Sequence, residues 1–316
     1  MKTKFTALFL ALLMLCGLAA CGTAKSDTYT VGICQLVQHD ALDAATQGFK
    51  DALTEKLGDK VEFDEQNASG DSANCATIIN NFVSADVDLI MANATPALTA
   101  AVSATADIPI LGTSITAYSV ALDLDDFDGT VGGNISGTSD LADLQAQADM
   151  LVEWFPEAQT VGMLFCSAEA NSRYQVDEVS AALTAKGLTC TEFAFTDSND
   201  VGSVTQAAAD ACDVVYIPTD NTAASNVESI ANVLLAAGVP AVAGEGGLCA
   251  GCGVCTLSIS YYDLGYTTGE MAAKILTGEA DISEMPIEYA PATKQYNADI
   301  CAQLGITPLE GYEAID

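Results

Sequence analysis

Short apolar runs alternate with helical patterns along this chain, and the whole alternation occurs twice. In the first helical pattern Ala45, Phe49 and Leu53 recur at every fourth position, which places them on one face of an α-helix. The runs on either side, Tyr29–Cys34 and Val61–Phe63, have the length and composition of strands. Because strand and helix in alternation are typical of parallel βαβ units, we predict an α/β fold.

The alternation divides the chain into two similar blocks of about 110 residues, each large enough for its own core. The first block is predicted to contain strands at Tyr29–Cys34, Val61–Phe63, Val87–Met91 and Ile108–Leu111, and helices at Ala41–Leu57, Ser72–Val83 and Pro96–Ala104. The second is predicted to contain helices at Leu141–Trp154, Ser172–Lys186, Val204–Ala211 and Val227–Ala237, and strands at Thr160–Cys166, Thr189–Phe195, Val214–Ile217 and Val239–Ala243. A tail adds strands at Thr256–Ser260 and Ile287–Tyr289 and helices at Leu264–Leu276 and Ala298–Leu304. The pattern predicts two lobes, with a tail that crosses back between them.

The N-terminus has the features of an export signal. A basic start is followed by the apolar run Ala7–Leu15, which is short for a membrane span, and then by Leu18-Ala19-Ala20-Cys21. The last four residues resemble a bacterial lipobox, which implies cleavage before Cys21 and a lipid on its sulfur. Residues 1–20 are therefore predicted to be a signal peptide and residues 21–27 a tether that anchors the exported protein to the extracytoplasmic face of the cell membrane. An ordinary secretory signal with an incidental cysteine is the alternative.

The charge of the chain limits its partners. It carries 43 acidic and 10 basic side chains, for a formal net charge of −33, and Lys2 and Lys4 lie in the predicted signal. Nucleic acid is not an expected partner, because binding it requires a basic surface.

Polar residues follow the predicted strands, where ligands bind in open parallel sheets. These loops are Gln35–Asp40, Asn67–Asp71, Asn93–Pro96, Gly112–Thr116, Glu169–Ser172, Pro218–Asn221 and Gly244–Gly247. Amides at helix starts favour a carboxylate, and acidic side chains favour an ammonium group, so the loops suit a zwitterion such as an amino acid. Taken singly, Asp71, Thr95 and Asn221 also fit plain N-caps, and Gly244–Gly247 fits a plain turn.

Several of these segments together resemble one family. The segments are Gln35–Ala45, Ala94–Ala97, Gly137–Asp140, Glu169–Ser172, Pro218–Asn221, Gly244-Glu245 and Ser260–Gly265. In this order they are similar to the ABC-transporter substrate-binding proteins of the tryptophan/tyrosine-binding family. The resemblance implies a type I periplasmic-binding fold, in which two Rossmann-like lobes joined by a three-stranded hinge close on a ligand.

The resemblance also implies where the lobes divide. Crossovers are expected near Ile135–Thr138, Leu257–Tyr261 and Ile287–Pro291. Lobe 1 would then comprise residues 28–136 and 261–289, and lobe 2 residues 137–260 and 290–316.

A ligand site is implied by the same resemblance. In lobe 2, Asn171, Ser172, Asp220 and Asn221 would hold the ligand's α-amino and α-carboxylate groups, with Glu245 nearby. In lobe 1, Gln35, Leu36, Thr95 and Thr116 would enclose its side chain.

The cysteines leave two interpretations open. Of eleven, Cys16 lies in the predicted signal and Cys21 takes the predicted lipid, which leaves an odd number and at least one free thiol. Cys249, Cys252 and Cys255 form a C-x2-C-x2-C run, a spacing also used for iron–sulfur clusters or zinc. No fourth ligand lies nearby, so free thiols or a local disulfide are favoured and no metal is predicted.

Three other residue types invite functional interpretations. His39 is the single histidine, and a position at the rim or a helix cap is favoured over general-base catalysis. Arg173 is the single arginine; it could clamp a carboxylate, but a solvated position on its helix is favoured. Tyr261 and Tyr262 fit either the cleft or the hinge.

The sequence as a whole predicts a monomeric, lipid-anchored substrate-binding protein of an ABC importer. Its partners would be a small zwitterion, with an aromatic amino acid first, and a membrane permease. No enzymatic activity and no cofactor are expected, since nucleophile, metalloprotease and phosphate-loop motifs are absent from the sequence. The alternatives are a ligand sensor that feeds a receptor and an extracellular α/β hydrolase.

Overall fold

Each of the two blocks folds into a β-sheet with helices on both of its faces. The computed structural model describes residues 28–315. The predicted signal peptide, the lipid-bearing Cys21 and the tether 21–27 lie outside the described residues.

Thirteen strands and twelve α-helices are described in residues 28–315. The strands are β1 (Tyr29–Gln35), β2 (Val61–Asn67), β3 (Leu89–Asn93), β4 (Ile110–Ile115), β5 (Ile135–Ser139), β6 (Thr160–Cys166), β7 (Thr189–Phe195), β8 (Val214–Ile217), β9 (Ala241–Ala243), β10 (Cys255–Ser258), β11 (Glu288–Tyr289), β12 (Thr293–Tyr296) and β13 (Glu313–Ala314). The helices are α1 (Asp40–Leu57), α2 (Ser72–Ala85), α3 (Thr95–Ala104), α4 (Tyr118–Ala121), α5 (Leu144–Trp154), α6 (Ala170–Ala185), α7 (Val201–Ala211), α8 (Asn221–Ser225), α9 (Val227–Ala237), α10 (Gly246–Gly251), α11 (Tyr261–Leu276) and α12 (Ala298–Leu304).

The strands form two sheets with the same internal order. The first sheet runs β11-β5-β4-β3-β1-β2 and the second β13-β12-β10-β9-β8-β6-β7. All neighbours in the first sheet are parallel, and in the second only β10 and β12 are antiparallel. The order β2-β1-β3-β4-β5 thus recurs as β7-β6-β8-β9-β10. This confirms the predicted fold class, two mostly parallel sheets flanked by helices.

Helices cover both faces of each sheet. In the first sheet, α1 and α11 bury Phe49, Leu53 and Met271 against one face, while Phe82 of α2 and Leu98 of α3 pack on the other. The predicted apolar face of α1 is confirmed, because Ala45, Phe49 and Leu53 are fully buried. Within residues 28–315 no helix is both long enough and apolar enough to cross a membrane.

The second sheet is covered in the same way. Trp154 of α5 and Val179 of α6 pack on one face, and Ala208 of α7 and Ile230 of α9 on the other. Complete burial of such side chains contributes about 1.5–3 kcal/mol each for the larger aliphatic ones, so each block has its own core.

Helices α1 and α11 are in unusually close contact. A Cβ at Gly265 would overlap the carbonyl oxygen of Ala45, and one at Gly48 would overlap that of Tyr262. Only glycine permits two backbones to approach this closely. The contact fixes α11 to the first sheet, although α11 directly follows β10 of the second sheet in the chain.

The chain passes between the sheets three times. It leaves the first sheet after β5, returns through α11 to β11, and leaves again into β12. The second and third passages overlap the predicted crossovers Leu257–Tyr261 and Ile287–Pro291. The first does not begin at 136: residues up to Ser139 pair with β4 in the first sheet, which corrects that boundary. The sequence Ile-Ser-Gly-Thr-Ser hides this buried strand because it contains no apolar run.

Short polar elements were also missed. Helices α4, α8 and α10 and strands β12 and β13 were not predicted. Helix α10 begins within Gly244–Gly247, a segment that fits either a ligand loop or a plain turn, and α8 contains only five residues. Both are held by side-chain caps rather than by an amphipathic pattern, so hydrophobic periodicity does not reveal them.

Candidate functional site

A narrow, nearly filled cavity lies between the two sheets, with free space of about 10 Å³, room for roughly one water molecule. It is lined by His39, Leu42, Ser114, Thr116, Asp140, Asn171, Thr219, Asp220, Asn221, Ala224, Glu245 and Tyr261. Most of these residues follow the carboxyl ends of strands. In the second sheet, Asn171 follows β6 and Asp220 follows β8, and between these two strands the order of the sheet reverses, which is where ligands bind in such sheets.

The cavity brings together some of the predicted site residues but not all. Thr116, Asn171, Asp220, Asn221 and Glu245 line it. Ser172 lies behind them, fully buried, with its side chain hydrogen-bonded to Asn171 Nδ2 at 3.3 Å.

The other three predicted residues lie outside the cavity. Leu36 lines an adjoining cleft between the sheets. Gln35 faces a different groove, where its side chain accepts a hydrogen bond from Thr46 Oγ1 at 2.6 Å and donates one to Asp43 at 2.6 Å. Thr95, the first residue of α3, is buried and lines none of these spaces.

The loop after β6 is fixed by the carboxylate of Glu169. One of its oxygens accepts hydrogen bonds from the backbone N–H of Asn221 at 3.1 Å and from Asn221 Nδ2 at 2.7 Å. The other accepts from the backbone N–H and the hydroxyl of Thr222, both at 2.8 Å. Glu169 therefore ties the loop after β6 to the loop after β8.

Two cavity carboxylates cap helices. Asp220 is the N-cap of α8: one oxygen accepts from the N–H of Ala223 at 2.8 Å and the other from the N–H of Cys166 at 2.7 Å. Glu245 is the N-cap of α10 and accepts from the N–H groups of Gly247, at 2.6 Å, and Leu248. The cap is thus Asp220 and not Asn221. Asp71 is an N-cap, as one interpretation held, and accepts from the N–H of Ala73 at 2.8 Å.

The cavity is acidic and holds no cationic side chain. Burial raises the pKa of Asp220 to about 8, helped by the neighbouring charge of Glu169, and burial raises that of Glu245 to about 7. Burial also raises the pKa of Asp140, against the opposing effect of the Tyr261 and Thr116 hydroxyls. His39 is the only basic side chain of the lining, and burial lowers its pKa. No lysine or arginine lines the cavity to neutralise these carboxyl groups.

Three buried polar atoms of the lining have no hydrogen-bond partner. They are Ser114 Oγ, Asp140 Oδ1 and Asn171 Oδ1. A buried polar atom without a partner costs about 1–3 kcal/mol, so these atoms define where a ligand would donate hydrogen bonds.

The start of α6 offers hydrogen-bond donors, in contrast to the unpartnered oxygens of the lining. Its N-cap residue, Glu169, makes no capping bond to the helix, so no side chain caps the first-turn N–H groups of α6. The helix is sixteen residues long, and its N-terminus carries partial positive charge beside Asn171 and Ser172. These N–H groups could donate to a carboxylate, although the carboxylate of Glu169 already lies at this end, 3.2 Å from Asn171 Nδ2.

Two side-chain hydrogen bonds border the cavity, and the first of them joins its two sides. His39 Nε2 lies 3.3 Å from Asn221 Oδ1, which links the start of α1 to the loop after β8. The hydroxyl of Tyr261 donates to Asp140 Oδ2 at 2.9 Å. The predicted rim position of His39 is confirmed, but its side chain does not cap α1.

Sequence reasoning assigned no ligand contact to several lining residues, chiefly Ser114, Asp140 and Thr219. Asp140 follows the hidden strand β5, so nothing in the hydropathy pattern marks it as a loop residue after a strand. Arg173 lies on the outer side, as favoured, where it pairs with Asp177 and Glu192.

The cysteines of residues 28–315 are all free thiols. Cys249, Cys252 and Cys255 are buried in the core of the second sheet, where burial raises the pKa of Cys252 to about 12. Within the described part of the chain no group of histidine, cysteine or acidic side chains is placed to hold a metal ion.

Comparison with known proteins identifies the family. Residues 30–311 match the family model described as ABC transporter substrate binding protein. A curated relative from Clostridioides difficile (strain R20291), named tyrosine-binding protein, is 34% identical over 268 residues, which is 84% of this chain and 77% of the relative.

Two solved structures extend the comparison. An ABC domain from Streptococcus pneumoniae in complex with L-Trp is 30% identical, with a TM-score of 0.86 over 91% of this chain and 100% of the other. The ligand-free, open structure of a substrate-binding protein with adhesive properties from Clostridium difficile is 34% identical, with a TM-score of 0.69 over 92% of this chain and 99% of the other. These matches confirm the family resemblance seen in the sequence. The chain belongs to the family of ABC transporter substrate binding proteins.

Proposed function

We propose that this protein captures an aromatic L-amino acid between two closing lobes and presents it to its permease. Substrate-binding proteins of ABC importers work outside the cytoplasm, bind small molecules and partner with ABC permeases. The observation that carries the proposal is the acidic cavity between the sheets, in which Ser114, Asp140 and Asn171 leave buried polar atoms without partners. Binding alone, without covalent chemistry, is the proposed activity.

The charges of the cavity support a zwitterion. Carboxylates without a cationic partner favour an ammonium group, and the N-terminus of α6 favours a carboxylate. We assign the carboxylate to the backbone N–H groups of the first turn of this helix, which contains Asn171 and Ser172. Asp220 and Glu245 line the cavity as helix caps. Gln35 is occupied by Thr46 and Asp43 and is not proposed as a contact.

Space for an apolar side chain lies beside the cavity. The adjoining cleft is lined by Leu36, Val37 and Pro96 from the first sheet. Leu42 faces the cavity itself, which at about 10 Å³ is far smaller than usual ligand pockets of about 300–1,000 Å³, so the lobes would have to separate to admit a ligand. An aromatic side chain would therefore extend from the polar cavity along Leu42 towards Leu36.

The overall conformation supports closure around a ligand. The chain superposes better on the tryptophan complex from Streptococcus pneumoniae than on the open Clostridium difficile structure, although its sequence is closer to the latter. The three passages between the sheets would act as the hinge. A ligand that contacts both lobes only when they are closed would stabilise that state by its differential affinity.

The proposed location depends on the N-terminal sequence. Lipid on Cys21 and the tether to residue 27 would hold a monomeric binder near the membrane. A lipid-anchored position is useful to an importer, because it keeps the captured solute close to the permease.

Calorimetric titration of the purified protein with each of the twenty amino acids tests the ligand class. Tryptophan, tyrosine or phenylalanine is expected to bind, and non-aromatic amino acids to bind weakly. If all three fail to bind while another solute binds, the aromatic assignment is refuted.

A further inference from the structure

The cavity contains three carboxylates, and only one has an oxygen that is free to meet a ligand. Asp140 is 4% exposed and lines the cavity. Its Oδ2 accepts from the Tyr261 hydroxyl at 2.9 Å, whereas its Oδ1 has no hydrogen-bond partner. The hydroxyl of Thr116 also faces this carboxylate and, with the Tyr261 hydroxyl, opposes the rise of its pKa.

The other two carboxylates are already engaged. Both oxygens of Asp220 accept backbone N–H groups, from Cys166 and Ala223. Both oxygens of Glu245 do the same, from Gly247 and Leu248. Acidic residues that cap helices offer a ligand fewer open lone pairs.

We propose that Asp140 Oδ1 receives the α-ammonium group of the ligand and that Tyr261 is a positioning residue that holds this carboxylate. The inference rests on the proposed amino-acid binding and assigns its ammonium contact to a residue that sequence reasoning left out. Asp140 follows β5 and Tyr261 begins α11, so the contact lies between two of the three passages that join the sheets.

The donors of an ammonium group match the unpartnered atoms. An ammonium carries three N–H donors, and the cavity presents Asp140 Oδ1, Ser114 Oγ and Asn171 Oδ1 without partners. Ser114 lies near the end of β4 in the first sheet, and Asn171 follows β6 of the second. One ammonium group would thereby connect the two lobes, which couples ligand binding to closure.

The test compares L-tyrosine with 3-(4-hydroxyphenyl)propionate, which lacks only the amino group. Calorimetry gives the ratio of the two affinities for each protein. Wild type is expected to prefer tyrosine by about 10- to 100-fold, the range for hydrogen bonds to a charged group. Asp140→Asn should lose most of this preference while it still binds the propionate.

Two control variants separate Asp140 from its neighbours. Asp263→Asn makes the same chemical change at an exposed position in the first turn of α11 and should keep the wild-type preference. Glu245→Gln should lower both affinities more evenly, because the side chain caps α10. If Asp140→Asn does not fold, Asp140→Glu replaces it as the test variant, because it keeps the carboxylate but moves it by one methylene. Asp140→Glu should bind tyrosine more weakly than wild type does and should bind the propionate as wild type does.

The outcomes are distinct. If wild type binds no aromatic amino acid, the proposed function fails. If wild type prefers tyrosine and Asp140→Asn retains that preference, or if Glu245→Gln removes it instead, the assignment of Asp140 is overturned while the proposed function stands. Equal affinity of Asp140→Glu and wild type for tyrosine would also overturn the assignment.

Discussion

Tyr261 donates a hydrogen bond of 2.9 Å to Asp140, although 121 residues separate them in the sequence. Both side chains are buried in the cavity, and each stands where the chain passes from one sheet to the other. The pair therefore joins the ligand cavity to the connections that would bend when the lobes move.

Loss of the Tyr261 hydroxyl should weaken ligand binding. In Tyr261→Phe, Asp140 loses its partner, and a less ordered carboxylate should lower tyrosine affinity by about 1–3 kcal/mol. Tyr262→Phe is the matched control, because the neighbouring hydroxyl binds Asp51 on the surface and its side chain is 40% exposed. Calorimetry should find wild-type affinity in Tyr262→Phe; similar losses in both variants would contradict a role for the pair.

Asn171→Ala should weaken binding by about 1–3 kcal/mol. The change removes a side chain that borders the free N-terminus of α6 and has an unpartnered oxygen in the cavity. Asn80→Ala on the exposed side of α2 also deletes a side-chain-to-backbone hydrogen bond but lies away from the cavity. Wild-type affinity of Asn171→Ala, measured by calorimetry, would move the ligand site elsewhere.

The ligand-free protein should be more stable at pH 5 than at pH 8. Burial raises the folded pKa of Asp220 to about 8 and of Glu245 to about 7, whereas in the unfolded chain both titrate near pH 4, about 3.9 and 4.3. Between these values the folded state holds protons that the unfolded state has lost, so the free energy of unfolding falls as pH rises. Thermal unfolding across this range measures the effect.

A variant without the Glu245 carboxyl group isolates the contribution of that group to the pH dependence of stability. Glu245→Gln should flatten the decline of Tm with pH, and Glu279→Gln at an exposed site should not. A Tm that rises from pH 5 to pH 8 in wild type would contradict the raised pKa values.

Cys21→Ala should release the protein from the membrane. Without its thiol the predicted lipid cannot attach, and one residue change leaves the apolar signal intact. Cys16→Ala, inside the predicted signal, is the matched control and should leave the protein in the membrane fraction. Membrane attachment of Cys21→Ala in cell fractionation would show that the anchor lies elsewhere.

Seven of the nine thiols of residues 28–315 should react only when the protein unfolds. Seven of the nine cysteines are buried, and Cys190 and Cys212 are partly exposed. A thiol reagent should therefore modify at most these two rapidly in the native state and all nine in denaturant. Fewer than nine reactive thiols in denaturant would indicate a disulfide that the structure lacks.

The sequence predicts the fold better than the site. Apolar runs and helical periodicity in the sequence locate most helices and strands. Elements such as α1 and β6 bury a face or a whole strand, and burial requires regularly spaced apolar residues. The strand β5 and the helices α8 and α10 escape detection, because hydrogen bonds and caps stabilise them instead. Since Asp140 follows β5, missing that strand also hides the carboxylate that completes the cavity.

Residue type alone also does not show which polar groups are free to bind a ligand. Asp220 and Glu245 are acidic residues after strands, as a ligand site requires, yet their oxygens accept backbone N–H groups of their own helices. Gln35 has the same loop position but is engaged by Thr46 and Asp43. Only the folded structure shows that the lining atoms without a hydrogen-bond partner belong to Ser114, Asp140 and Asn171.

A crystal structure of the protein grown with L-tyrosine tests the central claim most directly. The ligand should lie between the two sheets, with its ammonium nitrogen about 3 Å from Asp140 Oδ1 and its carboxylate at the start of α6. A tyrosine whose ammonium group lies at Asp220 or Glu245, with Asp140 Oδ1 still unpartnered, would contradict the assignment. Tyrosine bound outside this cavity would contradict the account of the site as a whole.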